Sequence, residues 1–172
     1  PQEAPQAFAQ AVIDVAAESA LRAVAGSDIV LIAVPVAATE TTFKAIRDLV
    51  EPGVLFMDVG STKRDVVDAA RRVLRERVGS FVPAHPIAGK ELSGIQHADA
   101  TLFNGRWSIL TPPAGTDPAA IERVKAFWEG AGSNVEVMTP AHHDLVLAIT
   151  SHVPHLIAYN IVGTAADLEE VT

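Results

Sequence analysis

Between Ile29 and Met138, short apolar runs alternate with stretches of helical spacing, and this alternation limits the folds open to the chain more than any other feature. Ile29–Val34 and Val54–Met57 are apolar without polar alternation, the pattern of strands covered on both faces. Phe81–Val82, Trp107–Leu110 and Asn134–Met138 read as further strands. Helices fill the gaps. One covers Glu18–Ala25, and another covers Thr39–Val50, with Phe43, Ile46, Leu49 and Val50 at helical spacing and Pro52-Gly53 ending it. Thr62 and Asp65 resemble a capping box that opens a helix to Arg77, with Val66, Val67, Ala70, Val73 and Leu74 on one apolar face. Asp117-Pro118 starts a helix to Glu129, and Thr139-Pro140 starts a long one towards Leu168. The alternation predicts an α/β fold: a doubly wound, Rossmann-like, mostly parallel sheet over residues 1–139, then the first helix of a separate helical region over 140–172.

A dinucleotide-binding fold normally opens with a strand and a glycine-rich turn, because backbone amides must approach the pyrophosphate closely. The eleven glycines supply no such turn. Gly130-Ala131-Gly132 follows a helix and precedes a strand, so it reads as a helix C-cap. The first strand candidate, Val12-Ile13, would sit at an edge with its inner neighbours missing. The expectation is a sheet incomplete at its N-terminus, within a longer protein.

Charge narrows the partners. A formal net charge of -8 and a pI near 5.1 oppose binding to nucleic acid or an anionic membrane surface. Cysteine is absent, which removes disulfides, thiolate nucleophiles and cysteine metal sites and fits a cytoplasmic enzyme. The uncharged run Ile29–Ala38 contains Pro35 and is about half of what a bilayer requires, so it reads as a buried strand, and no secretory signal pattern opens the chain.

Two polar segments begin where strands end: Asp58-Val59-Gly60-Ser61-Thr62-Lys63 and His85-Pro86-Ile87-Ala88-Gly89-Lys90-Glu91. Open α/β sheets bind ligands at that edge, and a histidine beside a hydroxyl there suggests proton transfer. Each residue also has a plainer reading: Ser61 as a helix N-cap, His85 as a loop histidine before a turn proline, Glu91 as an exposed carboxylate, Lys63 as a solvated lysine rather than a phosphate or carboxylate contact. A third segment, Ser151-His152-Val153-Pro154-His155, interrupts an apolar helix. At about 100° per residue, Asp144, Ser151 and His155 fall on nearly one line, and Pro154 should kink the helix. A polar stripe of that kind must meet partners or a wet cleft. His152 lies on another face, where a structural role is open to it. His142, His143, His152 and His155 could suggest a metal, but adjacent helical histidines point apart, and no metal site is expected.

Together with Ile109-Leu110-Thr111-Pro112, these segments resemble, in order and spacing, the prephenate/arogenate (cyclohexadienyl) dehydrogenase family, over nearly the whole chain. The resemblance implies an enzyme of tyrosine biosynthesis. Its reaction is the NAD- or NADP-dependent oxidative decarboxylation of prephenate or arogenate to 4-hydroxyphenylpyruvate or tyrosine. It implies His85 as the base on the ring hydroxyl with Ser61 in support, and Ser151, His152, His155, Asp144 and Glu91 as substrate contacts. By position at strand ends, Val34, Pro35, Ser61 and Thr111 are expected near the nicotinamide. The family basic residue for the ring carboxylate is expected beyond Thr172. A homodimer through the helical region is also implied, with Ile157, Ile161 and Val162 needing a partner surface. The competing readings are a non-catalytic dinucleotide-binding module and a β-hydroxyacid-type dehydrogenase; the His-Pro and Ser-His segments argue against the latter.

Overall fold

The computed structural model describes residues 13–89 and 94–169. Val12 and Glu91 lie outside them, and Ile13 is not in a strand. In chain order the main elements are α1 (Ala20–Val24), β1 (Ile29–Ile32), α2 (Thr39–Ile46), β2 (Leu55–Asp58), α3 (Arg64–Leu74), β3 (Ala84–Pro86), β4 (Trp107–Leu110), α4 (Pro118–Gly130), β5 (Asn134–Val137), α5 (Pro140–Leu147) and α6 (Val153–Glu169).

β1 and β2 pair in parallel, with Val30 opposite Phe56 and Ile32 opposite Asp58. Alternating side chains then feed two cores. Val30, Ile32, Phe56 and Phe81 pack with α1, α2 and α3, whereas Leu55, Met57, Val82, Ala84 and Leu110 pack under Ala120, Val124 and Trp128 of α4. β2 is covered on both faces, as its continuous apolar run requires, whereas β1, expected to be covered likewise, leaves Leu31 45% exposed because that side chain faces an open hollow. Each fully buried large side chain here contributes roughly 1.5–3 kcal/mol.

The third strand departs from expectation at Pro83. Phe81 makes a single parallel bridge to Phe56, and the Val82 N–H donates to the Phe56 carbonyl at 2.9 Å. Pro83 has no N–H for a ladder, and the chain changes partner there. Ala84–Pro86 pairs antiparallel with β4, placing His85 opposite Ile109, and β4 pairs in parallel with β5. His85 is therefore inside a strand, not in the loop after one. The strands thus form a two-stranded sheet, β1–β2, and a three-stranded sheet, β3–β4–β5, linked by the Phe56–Phe81 bridge, and the pairing is mostly parallel with one antiparallel ladder.

Two expected helix signals resolve differently. The Asp117 side chain caps α4 through the Ala119 N–H at 2.9 Å, with Pro118 in the first turn, and Ala131 with positive-φ Gly132 closes it. The Thr62/Asp65 capping box does not form. α3 starts at Arg64 after Lys63, no side chain of its own segment caps it, and Thr62 Oγ1 is buried without a partner among the described residues.

After α5 the long helix passes through one π-helical stretch, Ala148–His152, where the Val153 N–H reaches the Ala148 carbonyl. It lies just ahead of Pro154, whose missing N–H disturbs the ladder there. The continuous helix Pro140–Asp167 has mean hydropathy 1.5 with none of its apolar window buried, and is long and apolar enough to cross a membrane. Ile29–Ala38, read from the sequence as a strand too short to span a bilayer, does supply β1 over Ile29–Ile32. Leu156, Ile157, Ile161 and Val162 are all more than half exposed.

Candidate active site

The floor of the site is an ion pair. Asp58, the last residue of β2, and Lys63, just before α3, meet at 2.6 Å with side chains 3% and 0% exposed. The Lys63 ammonium also donates to the Ala84 carbonyl at 2.7 Å, and the Gly60 N–H donates to Asp58 Oδ2 at 2.9 Å. Burial pushes the Asp58 carboxyl up and the Lys63 ammonium down, each opposed by the partner's charge. A Cβ on Gly60 would come within 3.0 Å of Asp58 Oδ2 and 3.2 Å of a Val36 methyl, so the turn needs glycine for close approach. Lys63 thus fastens β2 to β3 one residue before His85, and the solvated-lysine reading is overturned.

Above this pair lies a hydrogen-bonded series. His85 Nδ1 is 2.9 Å from His143 Nε2, and His143 Nδ1 is 2.7 Å from Asp144 Oδ1. Asp144 also accepts the backbone N–H of Lys63 and of Arg64, each at 2.9 Å. Burial, with His143 and Lys63 adding to it, pushes His85 from 6.5 down to about 4, so its imidazole is neutral at physiological pH. Desolvation acts to raise Asp144, yet the Arg64 N–H, the His143 ring and the Lys63 N–H hold it below the usual carboxylate range.

His85 opens onto a cleft of about 710 Å³, of the size small ligands occupy. His85 to Gly89 and Arg106 line the cleft from the strand side, and Leu147, Thr150, Ser151 and His155 line it from the helix. A second, apolar hollow of about 410 Å³ shares His85, Pro86 and Ala88 and is lined by Leu31, Val59, Phe103, Phe127 and Trp128. His85 stands at the junction of the two. Among the described residues no group of three potential metal ligands occurs.

The structure brings His85, Ser151 and His155 together, and leaves other candidates apart. Asp144 does not line the cleft: the π-helical stretch adds a residue to the turn, so upstream of Ser151 the stripe continues through Leu147, and Asp144 faces α3 instead. His152 is exposed and absent from the cleft wall. Ser61 is exposed in the turn after β2, with no bond to His85 among the described residues. Thr111 is fully buried, its Oγ1 has no partner among the described residues, and it lines neither of the two hollows at His85. Val34 packs against the first core and lines a separate hollow beside α1 and α2, and exposed Pro35 leads into a short 3₁₀ turn. Arg106 is absent from the sequence candidates, and His143 stands among them only as a possible metal ligand. Their signals, one of two adjacent histidines and a cation directly before a strand, carry no direction by themselves.

Fold and site together define a two-part class: an α/β nucleotide-binding sheet with a neutral histidine at its ligand edge, closed by a helix from a following segment. Residues 1–137 match the prephenate dehydrogenase nucleotide-binding domain, and residues 139–172 match the prephenate dehydrogenase dimerization domain. The chain belongs to the prephenate dehydrogenase family. It is 38% identical over 148 residues to the cyclohexadienyl dehydrogenase of Zymomonas mobilis, covering 86% of this chain and 50% of that protein. It is also 38% identical over 165 residues to the Bacillus subtilis prephenate dehydrogenase, covering 94% and 43%. The Aquifex aeolicus prephenate dehydrogenase, solved with hydroxyphenyl propionate and NAD+, superposes with a TM-score of 0.88 at 32% identity, covering 95% of this chain and 57% of that one. The chain spans about half the length of the curated relatives it matches.

Proposed function

We propose that this chain carries the proton-accepting part of an NAD(P)-dependent dehydrogenase that oxidatively decarboxylates prephenate or arogenate to 4-hydroxyphenylpyruvate or tyrosine. The observation that carries the reading is His85: a neutral imidazole at the sheet edge, where a polar cleft meets an apolar hollow. A cyclohexadienol in the cleft presents its ring hydroxyl to the imidazole. His85 accepts the hydroxyl proton as the carbinol carbon loses hydride, carbon dioxide leaves from the opposite ring position, and the ring becomes aromatic. Base assistance of this kind is typically worth roughly 10²–10⁴ in rate.

The hollow beside Leu31, Val59 and Phe127 suits a flat nicotinamide ring, and the indole N–H of Trp128 is buried there without a partner among the described residues. Bound nicotinamide supplies the hydride acceptor. Leu31 and Val59 would hold it, with His85 and Pro86 lining both this hollow and the cleft. Ser151 and His155 supply polar contacts from the helix wall, while Ser61 stands in the exposed turn after β2. The exposed apolar flank of α6, within the segment matched to a dimerization domain, supports a dimer in which a second copy covers it, and the likeness to bacterial prephenate and cyclohexadienyl dehydrogenases supports a soluble, cytoplasmic protein.

Arg106 adds the positive charge that a carboxylate-bearing substrate needs at the strand wall. A hydrogen bond to a charged group is worth about 1.5–3 kcal/mol. Arg106→Ala in the full-length protein is therefore expected to lower kcat/KM roughly 10- to 100-fold, mainly through KM, in steady-state assays of NAD(P)H formation; an unchanged KM would remove Arg106 from substrate binding. The same assay tests the reading itself. A protein that binds cofactor and oxidises neither prephenate nor arogenate is a binding module, and one that oxidises a β-hydroxyacid instead belongs to the other class.

A further inference from the structure

We propose that His143 and Asp144 are positioning residues that hold His85 in the tautomer with its proton on Nδ1, leaving Nε2 bare towards the cleft, and that this setting exists only while α5 is docked on α3. The base role of His85 rests on the reading above; the tautomer and the docking do not.

The order of donors follows from one end. Asp144 is an acceptor when ionised, and it takes two backbone N–H groups as well as the imidazole. His143 Nδ1 must then donate to it, which leaves His143 Nε2 as an acceptor. The only hydrogen that can lie in the 2.9 Å contact belongs to His85 Nδ1. His143 is fully buried, so water does not compete for this bond. The remaining charged or titratable groups acting on His85 are Lys63, just before α3, and His152 in the π-helical stretch, while Arg106 and His155 line the same cleft. None of them supplies an alternative partner for Nδ1.

The same carboxylate ties the site to the fold. The N–H groups of Lys63 and Arg64 open α3 and have no partner within that helix, and Asp144 satisfies both from α5. It takes the place of the missing capping box. Undocking α5 would expose these amides and free His143 together, so the base is set by the joining of the helical segment to the nucleotide-binding sheet.

The test uses full-length protein labelled with ¹⁵N-histidine. The wild type is expected to report His85 as the Nδ1–H tautomer; His143→Leu is expected to lose that preference, and His143→Gln, whose amide oxygen can still accept, to retain it. kcat in His143→Leu should fall at least about tenfold, with cofactor affinity unchanged and with recovery in His143→Gln. A wild-type His85 protonated on Nε2, or an unaltered tautomer in His143→Leu, would overturn the proposal. Should the leucine variant not fold, the wild-type and glutamine spectra still decide. The expected tautomers in a protein that turns over neither prephenate nor arogenate would uphold this pairing and overturn the function assigned to it.

Discussion

His85→Asn is expected to lower kcat by roughly 10²–10⁴ while leaving cofactor affinity near that of the wild type. Asparagine preserves a polar side chain on β3 but has no lone pair basic enough to accept the hydroxyl proton. The pH profile sharpens the expectation. With His85 held down to about 4, the wild-type kcat/KM should stay flat through neutral pH and decline only as the pH falls towards 4. An ordinary histidine would begin to fail near 6.5. Stability moves in the same direction: the unfolded chain binds this proton more tightly than the folded one, so folding stability is lost as pH drops from 6.5 towards 4. The variant should lose both features. A wild-type profile whose acid limb sits near 6.5 would show that His85 is neither buried nor partnered as described.

Lys63→Met should cost about 3–5 kcal/mol of folding stability, because it leaves Asp58 buried without its counter-charge. Urea denaturation of the full-length protein measures this directly. Activity should fall as well, since Lys63 holds the Ala84 carbonyl immediately before His85. Pairing the change with Asp58→Leu should restore much of the stability, because replacing both ends of a buried pair with apolar groups is often neutral. A single variant as stable as the wild type would mean that the two charges are not paired in the folded protein.

Much of the architecture was readable because burial leaves a direct trace in composition. Ile29–Ile32 and Leu55–Asp58 stand where apolar runs placed strands, and the apolar face of α3 is the one its spacing marked. What escaped depends on geometry between segments. His85 reads from the sequence as a loop histidine, but in the fold the strand changes its pairing partner at Pro83 and carries His85 into the sheet. Thr62 and Asp65 have the spacing of a cap, yet the cap comes from Asp144, some eighty positions away. A helical wheel assumes 100° per residue, and the π-helical stretch breaks that assumption at the very segment where the stripe was drawn. A lysine in a first helical turn is usually solvated; Lys63 is not, because Asp58 ends the preceding strand beneath it.

The central claim is that His85 takes a proton from a ring hydroxyl as hydride leaves and carbon dioxide is lost. It is tested most directly by mixing the full-length protein with prephenate or arogenate and NAD+ or NADP+, and recording reduced cofactor and carbon dioxide together. Reduced cofactor and carbon dioxide are expected in equal amounts, with the rate collapsing in His85→Asn. Reduced cofactor without carbon dioxide, or an undiminished rate in the variant, would contradict it.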